Sequence, residues 1–154
     1  MQKVLLVEDD PLIIRLYTRT LQMEGYNVLS AENGLSALEQ LPNFNPDIIL
    51  LDIMMPTMNG IEFLKNISAG TEDGKIPVIV LTNVADSDVT MEAVQAGASL
   101  ILIKSQTEPD DVVSAVKGVL AKELLQVESL EPADDTSTYG LIDENQNESS
   151  TKDN

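Results

Sequence analysis

Six side chains carry the chemistry open to this chain. Glu8, Asp9 and Asp10 follow the aliphatic run Val4–Val7, and Asp52 follows Ile48–Leu51 at the rim of the most hydrophobic segment. Thr82 follows Val78–Leu81, and Lys104 follows Leu100–Ile103. The chain has no His and no Cys, which removes the commonest general base, the commonest zinc ligand and any thiolate nucleophile. Carboxylates, a hydroxyl and an amine remain. Two carboxylates about 4 Å apart repel by roughly 4 kcal/mol at an effective dielectric near 20. One lysine offsets only part of that, so the acids either protonate or take up a divalent cation. Oxygen ligands alone select Mg²⁺ or Mn²⁺ over zinc or copper. Magnesium completes its shell with a carboxylate or two, waters and phosphate oxygens, so a phosphoryl group is the natural guest. Asp52 is then the candidate nucleophile, because carboxylates form aspartyl phosphates. The metal, Thr82 and Lys104 would hold the three equatorial oxygens as charge builds.

Those groups converge only if the elements between them place their ends together. Five short aliphatic runs recur, the four above and Val28–Ala31, each continuous rather than alternating. That is the pattern of strands covered on both faces in a parallel sheet. Helical stretches with recognisable ends lie between them. Pro11 suits a first helical position behind Asp10 as cap, Ile14, Tyr17 and Leu21 share a face, and Gly25 closes that helix. Asn33 and Asn59 cap the next two. A fourth runs from about Asp86 to Ala96 and ends at Gly97. Thr107, with Asp110 three residues on, is expected to cap a fifth, whose stripe Val112, Val113, Val116, Val119 and Leu120 faces the core. Five βα units in series predict a doubly wound α/β fold. In the strand order 2-1-3-4-5, strands 1, 3, 4 and 5 are neighbours, and their carboxyl ends form the rim where ligands bind.

Composition narrows the alternatives. The 154 residues suggest one domain of ordinary size, and the 3% aromatic content, without Trp, makes its core aliphatic. The net charge of −17 repels phosphate backbones and argues against nucleic-acid binding. No apolar stretch approaches a membrane span and no signal peptide opens the chain, so a cytoplasmic protein is expected. Residues 123–154 hold nine acids and one Lys, leaving −9 on residues 1–122. Leu124-Leu125-Gln126-Val127 extends the last helix, and the polar remainder reads as a disordered acidic tail. The domain reading is 1–122, with 123–154 as helix extension and tail.

Four stretches, "VLLVEDDP", "DIILLDIMMPTMNGIEFL", "PVIVLT" and "GASLILIK", appear in order and at the separations usual for one family. The chain resembles the receiver domains of two-component response regulators. The resemblance implies a flavodoxin-like five-stranded sheet and phosphorylation of Asp52 from a phosphohistidine on a histidine kinase or histidine phosphotransfer protein. It implies that Glu8, Asp9, Asp52 and the backbone carbonyl of Met54 hold the Mg²⁺. Thr82 matches the switch hydroxyl and Lys104 the phosphate-binding lysine. With no His, this chain could receive such a group but not carry it on histidine. Self-catalysed phosphorylation and hydrolysis are expected, without a separate turnover substrate.

Three positions depart from the family pattern. Ser105 stands where a proline preceded by a cis bond is usual, and a non-proline cis bond costs about 3–4 kcal/mol, so a trans loop is expected. Ile101 replaces a Tyr or Phe that turns inward on activation, and Asn83 replaces a small residue. Taken singly, Thr82 is a strand-end hydroxyl, Lys104 a surface lysine, and Gly60 a turn glycine. Met54, Met55 and Met58 read as packing around a bend. Two rival functions stay open: a pseudo-receiver that binds partners without phosphate, and a Mg²⁺ phosphohydrolase. The hydrolase would want a second acid two residues after Asp52, where Met54 stands. No second folded domain is expected after residue 130, so output would be protein contact or onward phosphoryl transfer, with a homodimer as an open alternative.

Overall fold

The computed structural model describes residues 1–70, 76–83 and 86–129, with side chains for 1–67, 76–83 and 86–122. The elements alternate throughout: β1 (Lys3–Val7), α1 (Pro11–Met23), β2 (Asn27–Ala31), α2 (Gly34–Phe44) and β3 (Ile48–Asp52), then α3 (Gly60–Gly70), β4 (Val78–Thr82), α4 (Ser87–Gln95), β5 (Leu100–Ile103) and α5 (Pro109–Ser129). All strand pairs are parallel, in the order β2-β1-β3-β4-β5. This is the predicted doubly wound, flavodoxin-like sheet. Met1–Ala121 forms a compact unit. The acidic stretch expected to be disordered lies, from residue 130 on, outside the described residues.

Alternate side chains of each strand feed opposite cores, as the two-residue strand period demands. Leu5, Val7, Ile49, Leu51, Val78 and Val80 pack with Ala37, Phe63, Leu64 and Ala93 of α2, α3 and α4. Val4, Leu6, Ile48, Leu50, Ile79 and Leu81 pack with Tyr17, Leu21, Val112, Val116 and Leu120 of α1 and α5. The central strands β1, β3 and β4 are buried on both faces. The edges are not: β2 and β5 are exposed at their first residue and mostly half-buried after it. Each has a neighbour on one side only, so continuous aliphatic sequence overstated their cover.

Local sequence sets most helix ends. The Asp10 side chain accepts from the Leu12 N–H at 2.9 Å, with Pro11 opening α1. Asn33 accepts from the Ser36 N–H at 2.8 Å. Asn59 and Glu62 form a reciprocal box, Glu62 N–H to Asn59 Oδ1 at 2.9 Å and Asn59 N–H to Glu62 Oε1 at 3.1 Å. Gly25 and Gly97 take positive φ, 96° and 112°, just past α1 and α4. The fifth cap differs from expectation. The Thr107 hydroxyl donates to the Ile103 carbonyl at 2.7 Å, spent on the single 3₁₀ turn over Lys104–Gln106. Helix α5 starts at Pro109, and the Glu108 N–H donates to Asp111 Oδ2 at 2.8 Å instead. No peptide bond among the described residues is cis, so the Lys104-Ser105 bond is trans as expected.

Candidate functional site

Strand register carries the site residues to one rim. Val7 pairs with Leu51, so Glu8 emerges beside Asp52; Asp52 pairs with Leu81, and Thr82 with Ile103, so Thr82 and then Lys104 follow across the sheet. Asp52 and Thr82 are themselves the last residues of their strands. Glu8, Asp52 and Thr82 are the buried polar residues among those described, at 1%, 5% and 1% exposure. Carboxylate oxygens of Glu8, Asp9 and Asp52 all lie within 4.8 Å of one another. Glu8 and Asp9 thus bring carboxylate oxygens close to Asp52, while Asp10 caps α1.

Lys104 Nζ is 2.7 Å from Glu8 Oε1 and 3.5 Å from Asp52 Oδ1. Backbone donors supply the rest. The Asp10 N–H donates to Glu8 Oε2 at 3.1 Å, the Met54 N–H to Asp52 Oδ1 at 3.3 Å, and the Glu8 N–H to the Ala31 carbonyl at 3.0 Å. Burial, then the charge of Glu8, push the Asp52 carboxyl up to about 7, against the pull of Lys104 and the Met54 N–H; Asp9 adds to the rise. Burial works against the Lys104 charge, but the Glu8 hydrogen bond and the charges of Asp52 and Glu8 outweigh it and hold the ammonium above its usual range. The site is thus short of positive charge.

The donors fit a hard divalent cation. Three carboxylate oxygens within 4.8 Å of one another form an all-oxygen donor set of the kind magnesium takes, the ion keeping several waters beside one or two direct carboxylates. An open cleft of about 320 Å³ flanks the rim, lined by Ile13, Tyr17, Asn83, Lys104 and Ser105 among others.

The sequence model of the response regulator receiver domain matches residues 4–117. The chain belongs to the response regulator receiver family. This receiver is 35% identical over 119 residues to sporulation initiation phosphotransferase F of Bacillus subtilis, covering 77% of this chain and 94% of that one. It is 35% identical over 122 residues to the transcriptional regulatory protein CpxR homolog of Haemophilus influenzae, covering 79% of this chain and 52% of that protein. The chain spans about half the length of several such relatives, 58% for the probable transcriptional regulator ycf29 of Pyropia yezoensis. In structure it matches the chemotaxis protein CheY4 of Vibrio cholerae with a TM-score of 0.73 and 31% identity, over 77% of this chain and 98% of that one. It is therefore a receiver domain of two-component signalling, and nothing favours the pseudo-receiver alternative.

Two sequence readings of this receiver change. Gly60 is not a turn glycine: its φ is not positive, and a Cβ there would lie 2.6 Å from the Asp52 carbonyl oxygen and 2.7 Å from Ile53 Cα. Close backbone approach to Asp52, not turn geometry, requires glycine. Gly60→Ala is expected to lower stability by about 1–3 kcal/mol and slow phosphoryl acceptance, checked by urea unfolding and adduct formation. Met54 is 62% exposed rather than packed, whereas Met55 is buried and Met58 half-buried. Tyr17 is buried in the core, and the charges of Lys104 and Glu8 act on its phenol behind the dominant effect of burial. In sequence Tyr17 is only one more apolar position of α1.

Proposed function

We propose that Asp52 accepts a phosphoryl group from a phosphohistidine on a histidine kinase or phosphotransfer protein, and that the modified form alters the surface around β4 and β5. The observation that carries this is one buried nucleophilic carboxylate, Asp52, with two further acids within 4.8 Å and one ammonium at 3.5 Å. An Asp52 oxygen attacks phosphorus, the P–O bond forms as the P–N bond breaks, and the leaving imidazole takes up a proton. Glu8, Asp9, Asp52 and the Met54 carbonyl would hold Mg²⁺, or Mn²⁺ in its place. When bound, the ion neutralises the acids and the oxygens of the group in transfer. Lys104 exchanges part of its contact with Glu8 for a phosphoryl oxygen, and the Thr82 hydroxyl takes another.

Residues 1–122 would work as this switch and 123–154 as helix extension and acidic tail. The chain would catalyse its own phosphorylation and hydrolysis and turn over no outside substrate. Among the described residues no helix is long and apolar enough to cross a membrane, and the cytoplasm is the setting this reading takes for the reaction. Transmission would run through Thr82 to the segment after β4 without an aromatic lever, since Ile101 occupies that place. Amide spectra with and without a phosphate mimic test this step. Shifts over 82–105 are expected, and an unchanged segment would refute it.

The function is tested with acetyl phosphate and Mg²⁺, by intact mass on wild type and Asp52→Ala. One phosphoryl adduct on wild type alone is expected. No adduct would favour the binding-only reading, and steady phosphate release would favour a hydrolase.

A further inference from the structure

The side chain of Met58 lies across a notch that only glycine at position 34 leaves open. A Cβ on Gly34 would meet Met58 Cγ at 2.9 Å, Sδ at 3.0 Å and Cβ at 3.1 Å. Gly34 is buried in the first turn of α2, and its φ is not positive, so space rather than backbone conformation selects glycine. Met58 belongs to the loop that leaves Asp52. That loop folds on itself: the Met55 N–H donates to the Ile53 carbonyl at 3.1 Å, the Met58 N–H to the Pro56 carbonyl at 2.8 Å, and the Gly60 N–H to the Ile53 carbonyl at 2.9 Å. Thr57 sits at φ 70°, a conformation costly for a β-branched residue that surrounding contacts must hold. The same loop carries Met54, whose N–H binds Asp52.

The strand end that leads into Gly34 is bonded to the other half of the acid cluster. Three residues before Gly34, the Ala31 carbonyl accepts the Glu8 N–H at 3.0 Å, and Asn33 caps α2 on the Ser36 N–H at 2.8 Å. We infer that Met58, seated over Gly34, is a positioning residue that sets the Asp52–Met54 loop against the Glu8–Ala31 turn and so fixes the spacing of the cation-binding oxygens. This rests on the proposed function, because it concerns the same Mg²⁺ site. A thioether is suited to the place, being unbranched and able to follow an irregular gap.

The test is Mg²⁺ titration of the whole chain, followed through the amide signals of Glu8, Met54 and Gly60, with the thermal midpoint recorded in parallel. Gly34→Ala and Met58→Ala are each expected to weaken Mg²⁺ about 10-fold and to shift the Met54 signal already in metal-free protein. Met58→Leu, of similar volume, keeps the affinity within about twofold. The double variant Gly34→Ala/Met58→Ala binds more tightly than Gly34→Ala alone, because the shorter side chain leaves room for the added methyl. A purely structural glycine predicts otherwise: the added methyl crowds Met58 and lowers the thermal midpoint, but leaves Mg²⁺ binding unmoved. The inference is overturned if wild type binds and the single variants match it, or if the double variant shows only the summed losses. Should Gly34→Ala fail to fold, Met58→Ala against Met58→Leu decides alone. A wild type that shows no Mg²⁺ response overturns the cation-site reading itself, and this inference with it.

Discussion

Asp52→Asn is expected to make the metal-free protein more stable near pH 8 while abolishing phosphoryl acceptance. The Asp52 carboxyl is raised from 3.8 to about 7 in the folded chain. Below about pH 4 it is protonated both folded and unfolded, and costs nothing. As pH rises from there to about 7, the unfolded chain releases a proton that the folded chain keeps, so stability falls, and above 7 the loss is complete. A shift of this size corresponds to about 4 kcal/mol, which solvent reaching the open rim reduces to about 2 kcal/mol. Asn carries no charge to bury, and its carbonyl can still accept the Met54 N–H. The advantage of the variant should therefore grow between pH 4 and 7, level off above, and shrink when Mg²⁺ is added, because the ion stabilises only the wild-type acid cluster. Urea unfolding with a chelator at about pH 5 and pH 8 measures it. An advantage independent of pH would show that Asp52 carries no buried charge.

Lys104→Met acts in the opposite direction on stability, and it too impairs phosphoryl acceptance. Its ammonium is 2.7 Å from Glu8, which is 1% exposed, and 3.5 Å from Asp52. Removing one partner of a buried pair leaves an uncompensated charge, at a cost of about 3 kcal/mol. Added Mg²⁺, or acid that protonates Asp52, should recover part of it. Phosphoryl acceptance from acetyl phosphate should slow by about 10²–10³-fold, the usual effect of losing one donor to a developing oxyanion. Lys104→Arg separates the two effects. It keeps the charge and much of the stability, but its wider fork misplaces the donor and leaves the rate low. A Lys104→Met protein that accepts phosphate within about threefold of wild type would remove Lys104 from the chemistry, since one oxyanion donor is worth far more.

What could be read from the chain alone was what neighbours in sequence decide. The aliphatic runs marked all five strands to within a residue, because a short apolar run rich in β-branched residues suits a sheet strand, although the edge strands β2 and β5 are only partly covered. Asp10, Asn33 and Asn59 could be identified as caps because an N-cap answers to backbone donors two or three residues away. The acids, Thr82 and Lys104 stood out because each follows a strand, and strand ends in a parallel sheet share a rim.

Contacts across the sheet were a different matter. That Glu8 emerges directly beside Asp52 followed from a register in which Val7 opposes Leu51. That Gly60 abuts the Asp52 carbonyl, and that Met58 fills the space over Gly34, depends on atoms that no local pattern brings together. The Thr107 hydroxyl had two acceptable partners within four residues, and the turn after β5 chose the Ile103 carbonyl. Sequence thus determined which groups reach the rim, because strand and helix periods are local properties of the backbone. Tertiary packing alone decided their spacing, since a few tenths of an ångström between non-neighbouring atoms settle which charges are shared and which are left to a cation.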